Sequence, residues 1–404
     1  MNNTIHSEIV HEVKNSKLGT IGYLVVDRLI QGMSIGGVRV VPEISLVELQ
    51  HIARSMTYKN VFINNRMGGA KAAVIISREN EKHRNEILFE FGKGISPFVK
   101  RQIYSPGMDI GITPKELQII YNGAGVKRDV LSWKNLSHEY SAYSCFYATL
   151  AAVAKKNISI QDVTFSIQGL GSLGSIYAEL MAKAGARLTA VSNIYGGLVH
   201  ESGFSTGELL HNRSAHGDKF ILSYAGGQQV SHDVVLEKDV TVLLPAANSF
   251  AIYDGNWEKI RANIIVSAAN CPFSYDIERR LFQKGKMVIT DFVANCGGVL
   301  GSVIDTCVAK DDIVYIFSNY YRNKVETLLN QSQRTNTPMA DIVITEVEKK
   351  IEKESHSFWP SKKLIRYPAY ALKLILKLMP DTVKKWFLQS KSQKYIHHYE
   401  RLWK

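Results

Sequence analysis

The stretch "SMTYKNVFINNRMGGAKAAV", Ser55 to Val74, carries two lysines twelve positions apart, Lys59 and Lys71, the second preceded by Gly68, Gly69 and Ala70. Such a pair can do chemistry. In a water-poor site one ammonium is a fixed point charge that anchors a carboxylate. A second ammonium close by disfavours protonation of its neighbour, as does desolvation, so one of the two can approach neutrality and act as a base or nucleophile. Glycines beside it let a substrate backbone come near. The competing reading is two surface lysines flanking a loop, and features elsewhere in the chain must decide.

"VTFSIQGLGSLGSIYAELMAKAG" is the second feature: a strand pattern, then Gly169-x-Gly171-Ser172-Leu173-Gly174, then a helix pattern. Gly169 permits the tight turn, Gly171 lets backbone approach a pyrophosphate, and Gly174 allows close helix–strand packing. The helix N-terminus, with Ser172 and Leu173 in its first turn, then faces the anion. An acidic residue normally ends the second strand and holds a ribose hydroxyl. Here "AVSNIYGG" places Asn193 there, which does not repel a 2′-phosphate, so the cofactor is NAD or NADP.

These groups need elements to hold them. Up to about residue 140, strand-like runs ("IGYLVV", "GGVRVV", "KAAVIIS") mix with helices. "SLVELQHIARSM" puts Leu46, Leu49, Ile52, Ala53 and Met56 on one stripe behind a Ser45-x-x-Glu48 capping box, and "TPKELQIIYNGAG" repeats the device with Thr113 and Glu116. The next block alternates strands ("VTFSIQ", "RLTAVS", "VTVLLP", "NIIVSAA", "KMVITDF") with helices or loops, which predicts a mainly parallel, doubly wound sheet. After about Gly301 the chain is helical and polar.

The net charge of +12 belongs mostly to the tail. Residues 355–404 hold eleven Lys/Arg against only Asp381 and Glu400, so the fold itself is no basic nucleic-acid surface and no nucleic acid is expected. Lys373 and Lys377, four apart amid Leu372, Leu374, Ile375, Leu376, Leu378 and Met379, make a basic amphipathic segment. It suits contact with an anionic membrane surface, or a helix docked on the body or a neighbouring subunit. The four cysteines are scattered and His397-His398 is poor ligand geometry, so neither a disulfide framework nor a metal site is expected. With no leader pattern in "MNNTIHSEIVHEVKNSK" and no long apolar run, a cytoplasmic protein is expected.

Between Gly32 and Ser302, "GGVR", "MTYKN", "MGGAKAAV", "MDIG", "SAYS", "GLGSLG", "AAN" before Cys271-Pro272, and "ANCGGV" follow one another as in the glutamate/leucine/phenylalanine/valine dehydrogenases, which the chain resembles. The resemblance implies an NAD(P)-dependent amino-acid dehydrogenase that interconverts an L-amino acid and its 2-oxo acid plus ammonia, as a homo-oligomer. It implies an α/β chain of two domains with the active site in the cleft between them. Residues 1–140, completed by helices from about 301–340, form the substrate domain; 141–300 form a Rossmann-type dinucleotide-binding domain; 341–404 are a helical basic extension.

Residue by residue, the resemblance gives Lys59 the α-carboxylate and Lys71 the activation of water. It gives Asp109 the protons of the amino nitrogen, and Gly36 and Gly37 the lining of the carboxylate site. Ser141, where a threonine is usual, Asn270 and Asn295 border the nicotinamide. Glutamate-specific members carry a lysine just before the glycine pair, whereas this chain has Ile35, which leaves a distal carboxylate unpaired. That places it nearer the leucine, phenylalanine and valine enzymes, with an apolar substrate. Ser302 is the glutamate-type residue and opposes this; Ile35 outweighs it because a missing charge partner discriminates more strongly than a hydroxyl. Val299 is expected in the same pocket. Asn64, Asn65, Arg66, Met108 and Ser144 depart from the family pattern. The rival is a catalytically inactive relative, a dinucleotide-binding, tail-anchored interaction protein.

Overall fold

The computed structural model describes residues 6–17, 19–131, 136–305, 308–356 and 381–403. The chain forms two compact units, Met1–Asn135 with Glu346–Ser361, and Leu136–Thr345 with Lys362–Lys404.

The first unit contains β1 (Ile9–Asn15), β2 (Gly19–Val26), β3 (Ser34–Val41), α1 (Leu46–Phe62), β4 (Gly68–Ile75), α2 (Arg84–Gly94), α3 (Ser96–Lys100), β5 (Tyr104–Met108) and α4 (Pro114–Gly123). Its sheet runs β1-β2-β4-β3-β5, with β3 parallel to β4 and β5, and β2 antiparallel to β1 and β4. The central strand β4, "GGAKAAVI", is buried on both sides, and the alternation of a strand assigns its faces. Ala70, Ala72 and Val74 join Leu24, Leu88, Phe91 and Ile120 in one core, while Ala73 packs with Val25, Leu49 and Ala53 under α1. Small residues let α1 lie close: a Cβ at Gly69 would stand 2.4 Å from the Ala53 carbonyl oxygen.

Of the two capping boxes, α4 has the complete one: Thr113 and Glu116 exchange both bonds. At α1 only half forms. Ser45 accepts from the Glu48 N–H at 3.1 Å, but the Glu48 carboxylate turns to Arg39 at 3.4 Å, a buried cation that outcompetes a solvated N–H.

The unusual Asn64-Asn65-Arg66 run is how α1 stops. Asn64 takes the left-handed conformation (φ 57°), and the Asn65 N–H reaches back to the Asn60 carbonyl at 2.8 Å, satisfying helix-end acceptors. The Asn65 amide donates to the Asn60 side chain, which in turn donates to the Gly68 carbonyl, tying the helix end to the start of β4. Arg66 is exposed, and nothing in the structure explains it. Asn64→Val is expected to cost about 1–2 kcal/mol, because a β-branched side chain opposes positive φ. Asn64→Gly should be neutral or stabilising. Urea denaturation of both variants checks this; equal losses would remove the conformational explanation.

The second unit holds α5 (Ser137–Lys155), β6 (Thr164–Gln168), α6 (Ser172–Lys183), β7 (Arg187–Asn193), β8 (Gly196–Val199), α7 (Thr206–His216), β9 (Gln228–Val230), α8 (His232–Glu237), β10 (Val242–Pro245), β11 (Ile264–Val266), α9 (Tyr275–Gln283), β12 (Met287–Ile289), α10 (Asp291–Ala294), α11 (Gly297–Ile304), α12 (Lys310–Tyr315) and α13 (Arg322–Thr335). A π-helical turn, Ile316–Tyr321, joins the last two. The sheet order is β12-β11-β10-β6-β7-β8-β9. Five strands are parallel, and β8 and β9 extend the sheet as an antiparallel edge that the short "GGLV" and "QQV" runs did not announce. The direction of winding reverses between β6 and β10, where a doubly wound sheet binds its ligand.

The units divide differently from the sequence expectation. The second begins at Leu136, and 301–340 stay with it rather than completing the first. The reason is burial: Tyr321 is enclosed and donates to the Val293 carbonyl at 2.9 Å, and Val325, Leu328 and Leu329 are buried. The chain rejoins the first unit within α14 (Met339–His356), where Arg28 grips Glu348 by two bonds of 2.6 and 3.0 Å.

The last helix, α15 (Asp381–Trp403), docks on the second unit. Tyr399 and Trp403 are buried, the Trp403 ring lies 5.7 Å from that of Tyr321, and Ser392 accepts from the Ala309 N–H. The amphipathic run Leu372–Met379 lies outside the described residues. No described helix is long and apolar enough to cross a membrane.

Candidate active site

Lys71 reaches its place because β4 is central and buried. Paired opposite Val25, it points to the α1 face of the sheet and is 2% exposed. Lys59, in the last turn of α1, is also buried. The strand of Lys71 thus lies under the helix of Lys59, and the twelve-residue spacing is one helix end, a stop and a return. Asp109 directly follows β5. Its backbone comes close to β3 because position 37 is glycine; a Cβ there would stand 2.7 Å from the Asp109 Cβ. At Gly36 a Cβ would collide with the Ala70 carbonyl, and the Gly36 carbonyl accepts from the Tyr104 hydroxyl at 3.0 Å.

Three charges meet here. Lys71 Nζ stands 2.7 Å from Asp109 Oδ2, and Arg39 Nε donates to the same oxygen at 3.0 Å. Burial pushes Lys71 down, Asp109 pulls it up, and the Arg39 and Lys59 cations push it down again, for a net fall to about 8. Burial raises the Asp109 carboxyl, but the Lys71 and Arg39 charges and hydrogen bonds outweigh it and hold the group well below the usual carboxylate range. Asp109 is therefore ionised, and Lys71 can lose its proton near neutral pH. Arg39 escaped the sequence reading as a functional residue. The signal for it was an arginine inside the apolar strand "GGVRVV", which burial obliges to find an anion. Ile35 is half-buried on β3 beside Gly36, between Gly69 of β4 and Ser105 of β5.

The glycine loop follows β6 at the reversal of the sheet. Gly169 has φ +100°, and a Cβ on it would meet Ala247, beyond β10, at 2.8 Å; a Cβ on Gly174 would meet the Gly169 carbonyl at 2.3 Å. Around Gly171 a Cβ would meet nothing, so no protein neighbour requires a glycine there and the loop is open at that point. No side chain caps α6, whose first turn holds Ser172 and Leu173. Gln168 Oε1, Ser192 Oγ, Ser267 Oγ and Asn295 Oδ1 are buried without a protein partner near the carboxyl ends of the sheet. These orphaned oxygens and the Gly171 gap fit a dinucleotide.

Asn295 donates its amide to the carbonyls of Ala268 and Ala269, and Asn270 Oδ1 lies 3.4 Å away. Ser141 donates weakly to the Asn295 carbonyl at 3.4 Å. Ser144 binds the Ala294 carbonyl and accepts from the Gly297 N–H, fastening α5 to α11, which explains a serine in place of glycine. Asn193 behaves otherwise than as a ribose ligand alone: its amide donates to the Asp218 carbonyl and accepts from the Tyr195 N–H, building the β7–β8 turn. Val299 is half-buried on α11, and the exposed Ser302 donates its hydroxyl to the Gly298 carbonyl. Ile35 belongs to the first unit, and Val299 and Ser302 to the second. Among the described residues no cluster of metal ligands forms.

The family model described as "Glutamate/Leucine/Phenylalanine/Valine dehydrogenase" matches residues 135–355, and the "Glu/Leu/Phe/Val dehydrogenase, dimerisation domain" matches 4–124. The glutamate dehydrogenase of Thermotoga maritima is 27% identical over 319 residues, covering 70% of this chain and 71% of its own. A hetero-hexameric glutamate dehydrogenase from Thermus thermophilus, in a leucine-bound form, shares the fold at TM-score 0.71 and 18% identity, covering 86% of this chain and 89% of its own. The L-tryptophan dehydrogenase of Nostoc punctiforme does so at TM-score 0.59 and 19% identity, over 87% and 97%. Two matched domains, together with the lysine–aspartate pair and the glycine loop, place this chain in the Glu/Leu/Phe/Val dehydrogenase family of NAD(P)-dependent oxidoreductases acting on CH–NH2 donors.

Proposed function

We propose that the protein catalyses the reversible reaction of an L-amino acid with an apolar side chain, NAD(P)+ and water to give the 2-oxo acid, ammonium, NAD(P)H and a proton. The observation that carries this reading is the buried Lys71–Asp109 pair at 2.7 Å. Lys59 anchors the α-carboxylate, and Gly36 and Gly37 let the substrate backbone approach. The Gly169–Gly174 loop would hold the pyrophosphate of NAD(P), and Ser141, Asn270 and Asn295 would border its nicotinamide, which would supply the hydride acceptor. Neutral Lys71 takes a proton from the water that adds to the imine carbon, and its charge then stabilises the carbinolamine. Asp109, ionised, receives protons from the amino nitrogen and returns them as ammonia leaves.

Selectivity rests on Ile35, which offers a distal carboxylate no partner. The curated relatives are named glutamate dehydrogenases, so whole-chain likeness and position 35 point in different directions. Position 35 outweighs that likeness, because a missing charge partner discriminates more strongly than overall similarity; Val299 and Ser302 are further candidates for contact with the side chain. The dimerisation-domain match supports a homo-oligomer.

The test is a spectrophotometric assay of 2-oxo acids with ammonia and each reduced cofactor. Oxidation of NADH or NADPH is expected with aliphatic or aromatic 2-oxo acids in preference to 2-oxoglutarate. Cofactor binding without oxidation for any pair would establish the inactive-relative reading instead.

A further inference from the structure

We propose that Arg39 is a positioning residue: held from behind by Glu48, its guanidinium pins Oδ2 of Asp109 against Lys71 and leaves Oδ1 to meet the substrate nitrogen. The inference rests on reading Lys71 and Asp109 as the acid–base pair. Four observations carry it. Arg39 is 6% exposed in an otherwise apolar strand, where only a paired guanidinium is tolerable. Its Nε and the Lys71 ammonium bind one oxygen, Oδ2, at 3.0 and 2.7 Å, while Oδ1 has no hydrogen bond among the described residues. Glu48 gives up its capping bond at α1 to hold Arg39 Nη1 at 3.4 Å. Gly37 brings the Asp109 Cβ over β3 within reach of Arg39, two residues along the same face.

The result is an alternation of charge, Glu48–Arg39–Asp109–Lys71, across one end of the sheet. The groups facing Asp109 are Lys71 from β4, Arg39 from β3 and the Tyr104 hydroxyl from β5, with Glu48 and Lys59 contributed by α1. The guanidinium favours the ionised carboxylate and disfavours a protonated Lys71, so it acts on both members of the pair in the same direction along the pH axis. Its two-armed geometry, Nε to Asp109 and Nη1 to Glu48, is one that a lysine cannot copy in full.

Arg39→Gln should therefore move the rise of the deamination kcat–pH profile, which Lys71 sets, upward by about one unit. It should lower kcat at neutral pH about 10- to 100-fold with little change in KM for the amino acid. Arg39→Lys should cancel part of the shift. A residue of merely structural value would lower activity or melting temperature without moving the rise, and a rise coincident with the parent's would overturn the proposal. If Arg39→Gln does not fold, Arg39→Lys decides it, with an unmoved rise counting against. Carbon-13 NMR titration of Asp109 in the ligand-free proteins separates this inference from the reaction beneath it. An upward shift in the variants supports Arg39 even where Asp109→Asn stays active, which would sink the catalytic reading alone; no shift overturns the role of Arg39.

Discussion

Replacing Lys71 by alanine is expected to lower kcat at least about 10³-fold in both directions while NAD(P)H still binds. The size follows from its place. The ammonium is 2% exposed, so water cannot substitute for it, and alanine leaves Asp109 with one cation instead of two. The unpartnered oxygens and the Gly171 gap proposed to meet the nucleotide belong to the other unit, so cofactor binding, followed by nucleotide fluorescence, should survive. Asp109→Asn should lose a comparable factor, because an amide cannot hold the proton that leaves nitrogen. The intact protein should also carry a signature of Lys71. With its proton lost near pH 8, deamination at saturating amino acid should rise as pH increases through that value, since the base is the neutral amine. Near-normal turnover in either variant, or a profile flat from pH 7 to 9, would refute the assignment.

The second large effect is expected at position 35. Ile35→Lys should shift kcat/KM in favour of 2-oxoglutarate over apolar 2-oxo acids by about 10²-fold or more, measured by direct competition of the two substrate classes. An ammonium on β3 beside Gly36 gives the distal carboxylate the partner it lacks, and at the same time puts a charge where an aliphatic chain must lie. A parent enzyme that already prefers 2-oxoglutarate would end the argument from Ile35, and the serine at 302 would then have been the better guide.

What could be read from the chain alone was what local rules enforce. In the Gly169–Gly174 loop the positive φ of Gly169 and the close approach of Gly174 to the Gly169 carbonyl are the local features that the glycine spacing implies. The lysines and Asp109 were legible through ordered motifs. The Arg39 contact was not, because its partner lies 70 positions away and only the parallel pairing of β3 with β5 makes them neighbours. Glu48 misled for a related reason: a capping box is a local expectation, and a buried cation nine positions back overrode it. Asn64 and Asn65 looked like departures in the site but are a helix terminus. The second boundary was missed because polar helices after Gly301 show no period that says which unit they bury against.

Vectorial synthesis gives the two C-terminal contacts a further meaning. Arg28 is made some three hundred residues before its partner Glu348, and Tyr321 well before Trp403, the ring it lies beside. Neither unit can form these contacts until Glu348 and Trp403 have emerged, so a ribosome stalled near residue 340 would hold two unfinished bodies rather than one finished and one pending. Nascent chains stalled there should accordingly be more protease-sensitive in both units than chains extended past Trp403.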